Sequence, residues 1–232
     1  VIRLEGVEVD VPDPAAGPRA KRRILGPVSL ELTERRIAFV GANGSGKSTL
    51  LRLLNGLVLP DAGRVLIGGQ DTRREGRRIR RRVGFVFTDP LAQLVMATPA
   101  DDVELSLRPT VADRSERRAA ARRLLTERGL GQLADRSVYD LSGGERQLVA
   151  LTSVLACTPA IVVADEPTTL LDLRNRNQIR MALAGLEQQL IVATHDLEMA
   201  AEADRVIVIE GGAVVADGEP AAAIAAYREL MR

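Results

Sequence analysis

The stretch "GANGSGKST" (Gly41, Ala42, Asn43, Gly44, Ser45, Gly46, Lys47, Ser48, Thr49) constrains this chain more than any other part of it. It follows the apolar run "RIAFV" and opens onto "LLRLLN", whose leucines fall at helical spacing. A strand, a glycine-rich turn and a helix in that order form a phosphate cradle. Glycines let backbone N–H groups turn inward, and the helix N-terminus adds a favourable dipole. In such a cradle Lys47 reaches the β- and γ-phosphates, and the Ser48 hydroxyl is suited to magnesium. The plain alternative is an ordinary glycine-rich turn. Against it, Lys21 and Lys47 are the only lysines among 32 basic residues, so a lysine at 47 stands out against an arginine default.

A length of 232 residues suits one large domain, or a domain with a substantial insert, and 46% hydrophobic residues supply a core. Thirty-two basic against 31 acidic residues give no bulk attraction to nucleic acid. No apolar run approaches the ~18 residues that span a bilayer, and the first residues lack the layout of a signal peptide. One cysteine, Cys157, cannot form an internal disulfide, which fits a reducing compartment. Its apolar helical surroundings predict core packing.

Alternating Ile2, Leu4, Val7, Val9 and Val11 predict strand, and "PDPAAGP" (12–18) predicts a loop. "VSLEL", "RVLIGG" and "RRIRRRVGFVF" supply further strands, the last after a charged helical turn. The seven arginines between positions 73 and 82 read as a solvated helix pairing with local acids, or as a face for anionic lipid. Residues 98–135 change texture. Thr98, Pro99, Asp101 and Asp102 start a helix, and a second helix over 115–128 ends at Gly129. No strand-like run interrupts them. After that insert, "IVVAD", "QLIVAT", "RVIVIEGG" and "AVVADG" alternate with helical segments, as in a mostly parallel sheet covered on its faces.

"IVVADEP" (161–167) buries four apolar residues and delivers Asp165 at a strand end, where such sheets bind ligands. A carboxylate there suits magnesium through an intervening water, and Glu166 beside it can orient an attacking water. Taken alone, two acids at a strand end are also a solvated loop entry. "LSGGERQ" (141–147) adds a second anion-binding arrangement, in which Ser142, Gly143 and Gly144 open a helix with an apolar stripe at Leu148, Leu151 and Leu155.

With these motifs in this order, the whole chain resembles the ATP-binding cassette (ABC) ATPases. The resemblance implies an α/β P-loop NTPase fold of RecA type, with an antiparallel β region and a helical subdomain. It is expected as one domain, with core residues 1–92 and 159–232 and helical residues 93–158. It implies ATP and Mg2+ as ligands, with Glu166 and His195 catalytic, His195 of "VATHD" being the switch histidine. Cassettes of this family pack head to tail. Ser142, Gly143, Gly144 and Glu145 would therefore meet ATP held by a second copy or a homologous ATPase. Asp172 of "TTLLD" is the expected acid communicating between the two sites.

Three positions depart from the family pattern. Val11 stands where an aromatic usually stacks on adenine, Glu145 where glutamine is commoner, and Thr88 where a glutamine ligates magnesium. Thr88 is expected to supply its hydroxyl to the metal instead. Lys47, Ser48, Asp165, Glu166 and His195 all remain, which predicts an active enzyme.

"FTDPLAQLVMATPADDVELSL" is similar to the loop and acidic helix of energy-coupling factor (ECF) importers, and most like their biotin-transporter ATPases. That implies a place at the cytoplasmic face of a bacterial membrane. The partners would be a membrane coupling subunit and a small substrate-binding membrane subunit, with no nucleic acid. Contact with the membrane partner is expected around 93–107, led by Gln93 and Leu94. The absence of a long C-terminal extension is compatible with this. A cobalt, nickel or other vitamin ECF importer, and a lipid or lipoprotein exporter, share the same engine.

Overall fold

In the computed structural model, which describes residues 1–17 and 19–232, the chain divides into two compact units. The first comprises Val1–Val83 and Gln189–Arg232, the second Gly84–Gln188. It opens with β1 (Ile2–Pro12), where Ile2, Leu4, Val7 and Val9 are buried and their neighbours are not. β2 (Lys21–Leu32) pairs antiparallel with β1 from Ile2↔Leu32 to Pro12↔Lys21, with register shifts on the way. It is longer than "VSLEL" predicts, because its first half is charged and broken by Gly26-Pro27, so only pairing with β1 makes it a strand. The last residue of the predicted 12–18 loop, Pro18, lies outside the described residues.

β3 (Arg36–Val40) is buried from Ile37 onward and runs into the glycine-rich turn and α1 (Lys47–Leu54). The helix stops at Asn55, and Gly56 follows with φ 69°. β4 (Ala62–Ile67) pairs with the other edge of β1, then turns at Gly68-Gly69 into the two-residue β5 (Gln70–Asp71). Asp71 caps α2 (Thr72–Arg82) by accepting from the Arg73 N–H. All seven arginines of α2 are exposed, and Arg78 pairs with Glu75 at 3.2 Å.

The second unit begins from β6 (Val83–Val86) and carries α3 (Pro99–Leu107) and α4 (Arg114–Glu127), with no strand between β6 and Ile161 among the described residues. Thr98 caps α3, as the sequence predicts. α4 starts one residue earlier than predicted, because Asp113 accepts from the Glu116 N–H and fixes the first turn. α5 (Gly143–Ala156) packs against both, and its apolar stripe is buried at Leu148 and Leu151 and half-buried at Leu155. Cys157 is not a core residue: it caps the C-terminus of α5, exposed, with its thiol donating to the Ser106 carbonyl at 3.4 Å. β7 (Ile161–Asp165), buried throughout, neighbours β6, and α6 (Leu173–Ala184) packs against α5.

The chain then returns to the first unit with β8 (Gln189–Ala193), α7 (Leu197–Ala201), β9 (Arg205–Glu210), β10 (Ala213–Gly218) and α8 (Pro220–Leu230). β3 lies between β8 and β9, parallel to both, and β10 closes antiparallel on β9. Strands with buried Ile, Val and Phe on both faces, joined through helices, are the parallel arrangement that the apolar runs predict.

Candidate active site

Parallel pairing of β3 with β8 sets the geometry of the first unit. Phe39 stands opposite Ala193, so both strands end at the same edge, and the Thr194 N–H donates to the Phe39 carbonyl at 3.0 Å. From this edge emerge the Gly41–Thr49 turn and, two residues beyond β8, the exposed His195. Sequence-distant residues thus meet where parallel sheets bind ligands.

The turn itself is tightly built. A Cβ on Gly41 would lie 2.1 Å from the Ile209 carbonyl and 2.8 Å from the Ser45 hydroxyl, so only glycine fits there. The Gly212 N–H, from the β9–β10 turn, donates to the Ser45 carbonyl at 2.9 Å and braces the loop. Lys47 is only 6% exposed, and its ammonium donates to the carbonyls of Gly41 (2.8 Å) and Ala42 (3.0 Å). The Ser45 hydroxyl is buried without a hydrogen-bond partner among the described residues. Val11, where the adenine aromatic is expected, is half-buried in β1 opposite Arg22.

The second unit holds the acids. Asp165 is 2% exposed at the end of β7, and Glu166 follows in the left-handed region at φ 48°. A residue with a Cβ occupies that region only when its surroundings impose it. The Glu166 carboxylate accepts from the Thr169 hydroxyl at 3.0 Å. Thr88 points its hydroxyl at the backbone of this same corner, donating to the Asp165 carbonyl at 2.8 Å.

α5 begins with a capping box. The Ser142 hydroxyl accepts from the Glu145 N–H at 3.3 Å, and the Glu145 carboxylate accepts from the Ser142 N–H at 2.7 Å. That backbone hydrogen bond, with the Ser142 hydroxyl second, holds the Glu145 carboxyl below its usual range against the small opposing effect of burial. The glutamate that departs from the family pattern is therefore a charged helix cap. Gly144 packs so closely that a Cβ would sit 2.3 Å from the Asn175 side chain. Asn175 in turn donates its backbone N–H (2.8 Å) and side-chain amide (3.0 Å) to Asp172, which caps α6. The Ser142 turn and the Asp172 turn thus pack directly on each other, each closed by its own hydrogen bonds.

This chain matches the ABC transporter family over residues 25–169. The chain belongs to the ABC transporter family. The biotin transport ATP-binding protein BioM of Rhizobium etli is 44% identical over 209 residues, covering 90% of this chain and 93% of BioM. The energy-coupling factor transporter ATP-binding protein EcfA1 of Bacillus subtilis is 38% identical over 219 residues, covering 92% of this chain and 78% of EcfA1. Among solved structures, the dimeric ATP-binding cassette MJ0796, in a post-hydrolysis state bound to ADP and Pi, superposes with a TM-score of 0.84. It is 30% identical and covers 95% of this chain and 99% of its own. The protein is thus an ABC ATPase of α/β P-loop fold.

Within this cassette the loop after β6 departs from expectation. Leu94, expected at a partner contact, is 7% exposed because it turns inward after Pro90, while Val95 beside it is 71% exposed and Leu91 37%. The Gln93 amide is also engaged internally: its oxygen accepts from the Phe87 N–H at 3.2 Å and its nitrogen donates to the Ala150 carbonyl at 3.0 Å. Sequence reasoning passes over Gln147, 1% exposed on α5, whose amide donates to the Phe87 carbonyl at 3.1 Å. Its signal is a glutamine directly beside a stripe of buried leucines. Asp102 is legible in the sequence only as part of a helix start. Its carboxylate accepts from the N–H groups of Val95 (2.9 Å) and Met96 (3.2 Å) and from the Ser153 hydroxyl (2.7 Å).

Proposed function

We propose that this cassette hydrolyses ATP to drive an ECF-type importer, with biotin as the transported substrate. The observation that carries the reading is similarity over nine-tenths of the chain to BioM and EcfA1, relatives named for those transporters. The Phe-Thr-Asp-Pro loop supports the same choice. No helix among the described residues is long and apolar enough to cross a membrane. A membrane coupling subunit and a small substrate-binding membrane subunit would supply the pathway, with the cassette bound peripherally at the cytoplasmic face.

In this reading the N–H groups of residues 41–49 and the Lys47 ammonium hold the phosphates. Lys47 exchanges the loop carbonyls it now contacts for phosphate oxygens, and the buried Ser45 hydroxyl is a further donor beside them. His195, at the same strand edge, contacts the γ-phosphate. Glu166 orients the attacking water. Ser142, Gly143, Gly144 and Glu145 complete the ATP site of a second copy, and Asp172 links the two sites. Residues 93–158 serve as the helical subdomain, with the core on either side in sequence.

The donor set suits magnesium. The Ser48 hydroxyl and Asp165 carboxylate are hard oxygens. Magnesium takes such oxygens and completes its coordination with water and nucleotide. When bound, it would neutralise charge developing on the phosphates.

Purification with two small membrane proteins, one binding biotin tightly, is the expected result. Purification with a large permease pair would overturn the ECF assignment. Glu166→Gln is expected to abolish turnover while ATP still binds, measured by phosphate release and nucleotide titration. Turnover that survives the substitution would remove Glu166 from its role.

A further inference from the structure

We propose that Thr88 is a positioning residue for Glu166, acting through the Asp165 carbonyl, and that Gln93 and Gln147 tie it to α5. The proposal rests on the reading that Glu166 orients the attacking water. The carbonyl that Thr88 holds at 2.8 Å belongs to the peptide joining Asp165 to Glu166. Rotation of that peptide plane sets the φ of Glu166, and the observed 48° is one that a residue with a Cβ adopts only under constraint. Thr88 therefore fixes the backbone of Glu166 from one side, while the Thr169 hydroxyl holds its carboxylate at 3.0 Å from another.

Thr88 is itself held by its neighbour. Both backbone polar groups of Phe87 are taken by side-chain amides: its N–H by Gln93, its carbonyl by Gln147. Gln147 sits on α5, and Gln93 reaches the Ala150 carbonyl on the same helix. Ser142 caps that helix. One hydrogen-bonded path thus runs from α5, through Phe87 and Thr88, to the peptide that aims Glu166. A shift of α5 along its axis would alter the aim of the carboxylate. Threonine is well chosen for this: its branched Cβ limits rotation, and its short hydroxyl reaches a carbonyl where a glutamine amide would overshoot.

The competing roles are a metal ligand through the hydroxyl lone pairs, and a hydrogen bond that only stabilises the fold. Three readouts on the purified full-length chain separate them: kcat and KM for ATP, the magnesium concentration for half-maximal rate, and the melting temperature. Thr88→Val keeps the shape and removes the donor. It is expected to lower kcat roughly threefold to tenfold, the effect of one ordinary hydrogen bond, with KM and the magnesium requirement unchanged. Thr88→Ser, which keeps the donor, should recover most of that rate.

A raised magnesium requirement in Thr88→Val would make Thr88 a ligand and overturn the proposal. So would an unchanged kcat, with or without a lower melting temperature. Absence of ATPase activity in the unaltered chain would overturn the underlying reading of Glu166 as well. An active chain indifferent to Thr88→Val overturns this inference alone.

Discussion

Glu145 occupies the third position of α5 and accepts the Ser142 N–H at 2.7 Å, one of the backbone donors that every helix start leaves unpaired. Its charge strengthens that hydrogen bond, while the Ser142 hydroxyl accepts the Glu145 N–H in return. Removing the side chain in Glu145→Ala should cost about 1 kcal/mol of unfolding free energy, measured by urea denaturation. Glu145→Gln should cost less, because an amide oxygen still accepts. The pH dependence has a definite sign. The carboxyl is held below its usual range in the folded chain, so the extra stability over Glu145→Gln is present above the unfolded pKa. It is lost as pH falls through the folded one. The two proteins should therefore converge in stability below the ordinary carboxylate range and separate towards neutral pH.

At the scale of elements, Asp102 is the pin of the helical segment. It is 4% exposed on α3, receives two backbone N–H groups from the turn at Val95 and Met96, and receives the Ser153 hydroxyl from α5. Loss of this carboxylate leaves three donors without their acceptor, the Ser153 hydroxyl among them buried. Asp102→Ala should destabilise the chain by about 3 kcal/mol, and faster amide exchange at Val95 and Met96 should accompany it. Asp102→Asn, which retains one acceptor oxygen, should fall between.

The same elements show what the sequence can disclose. Thr98 before Pro99, and Asp113 before the arginine-rich helix, are caps that work through contacts three residues away, so the helices they start are readable from spacing. The strand-loop-helix at Gly41–Thr49 and the acids closing β7 are readable for the same reason. β2 is not, because its charged first half becomes a strand only through pairing with β1. Nor is the inward turn of Leu94, decided by Pro90, nor the engagement of Gln93 and Gln147. Those glutamines are more than 50 residues apart in the chain and converge on Phe87 only in the fold. Cys157 shows the opposite failure: helical apolar spacing predicts burial, yet the residue falls just past the last turn of α5, where the helix face no longer applies.

For the molecule as a whole, the consequential arrangement is that the phosphate cradle and the Ser142 turn belong to different compact units of one chain. If each ATP is shared between the cradle of one copy and the Ser142 turn of another, a defect in either disables different sites. Lys47→Ala removes the phosphate ligand, and Ser142→Arg blocks the exposed turn; each variant alone should be inactive. In a mixed dimer, one composite site carries both defects and the other carries neither. Equal amounts of the two variants, exchanging freely, put about half of the dimers in mixed form, each with one intact site of two. Mixing two inactive proteins should then restore about a quarter of the unaltered rate if the sites fire independently, measured as phosphate release after subunit exchange. Restored activity that rises with total protein concentration would add that the dimer forms reversibly. If both residues served an ATP bound within one chain, mixing would restore nothing, because every site would carry one of the two defects. The absence of complementation, with exchange verified by labelled subunits, would therefore rule out the shared site.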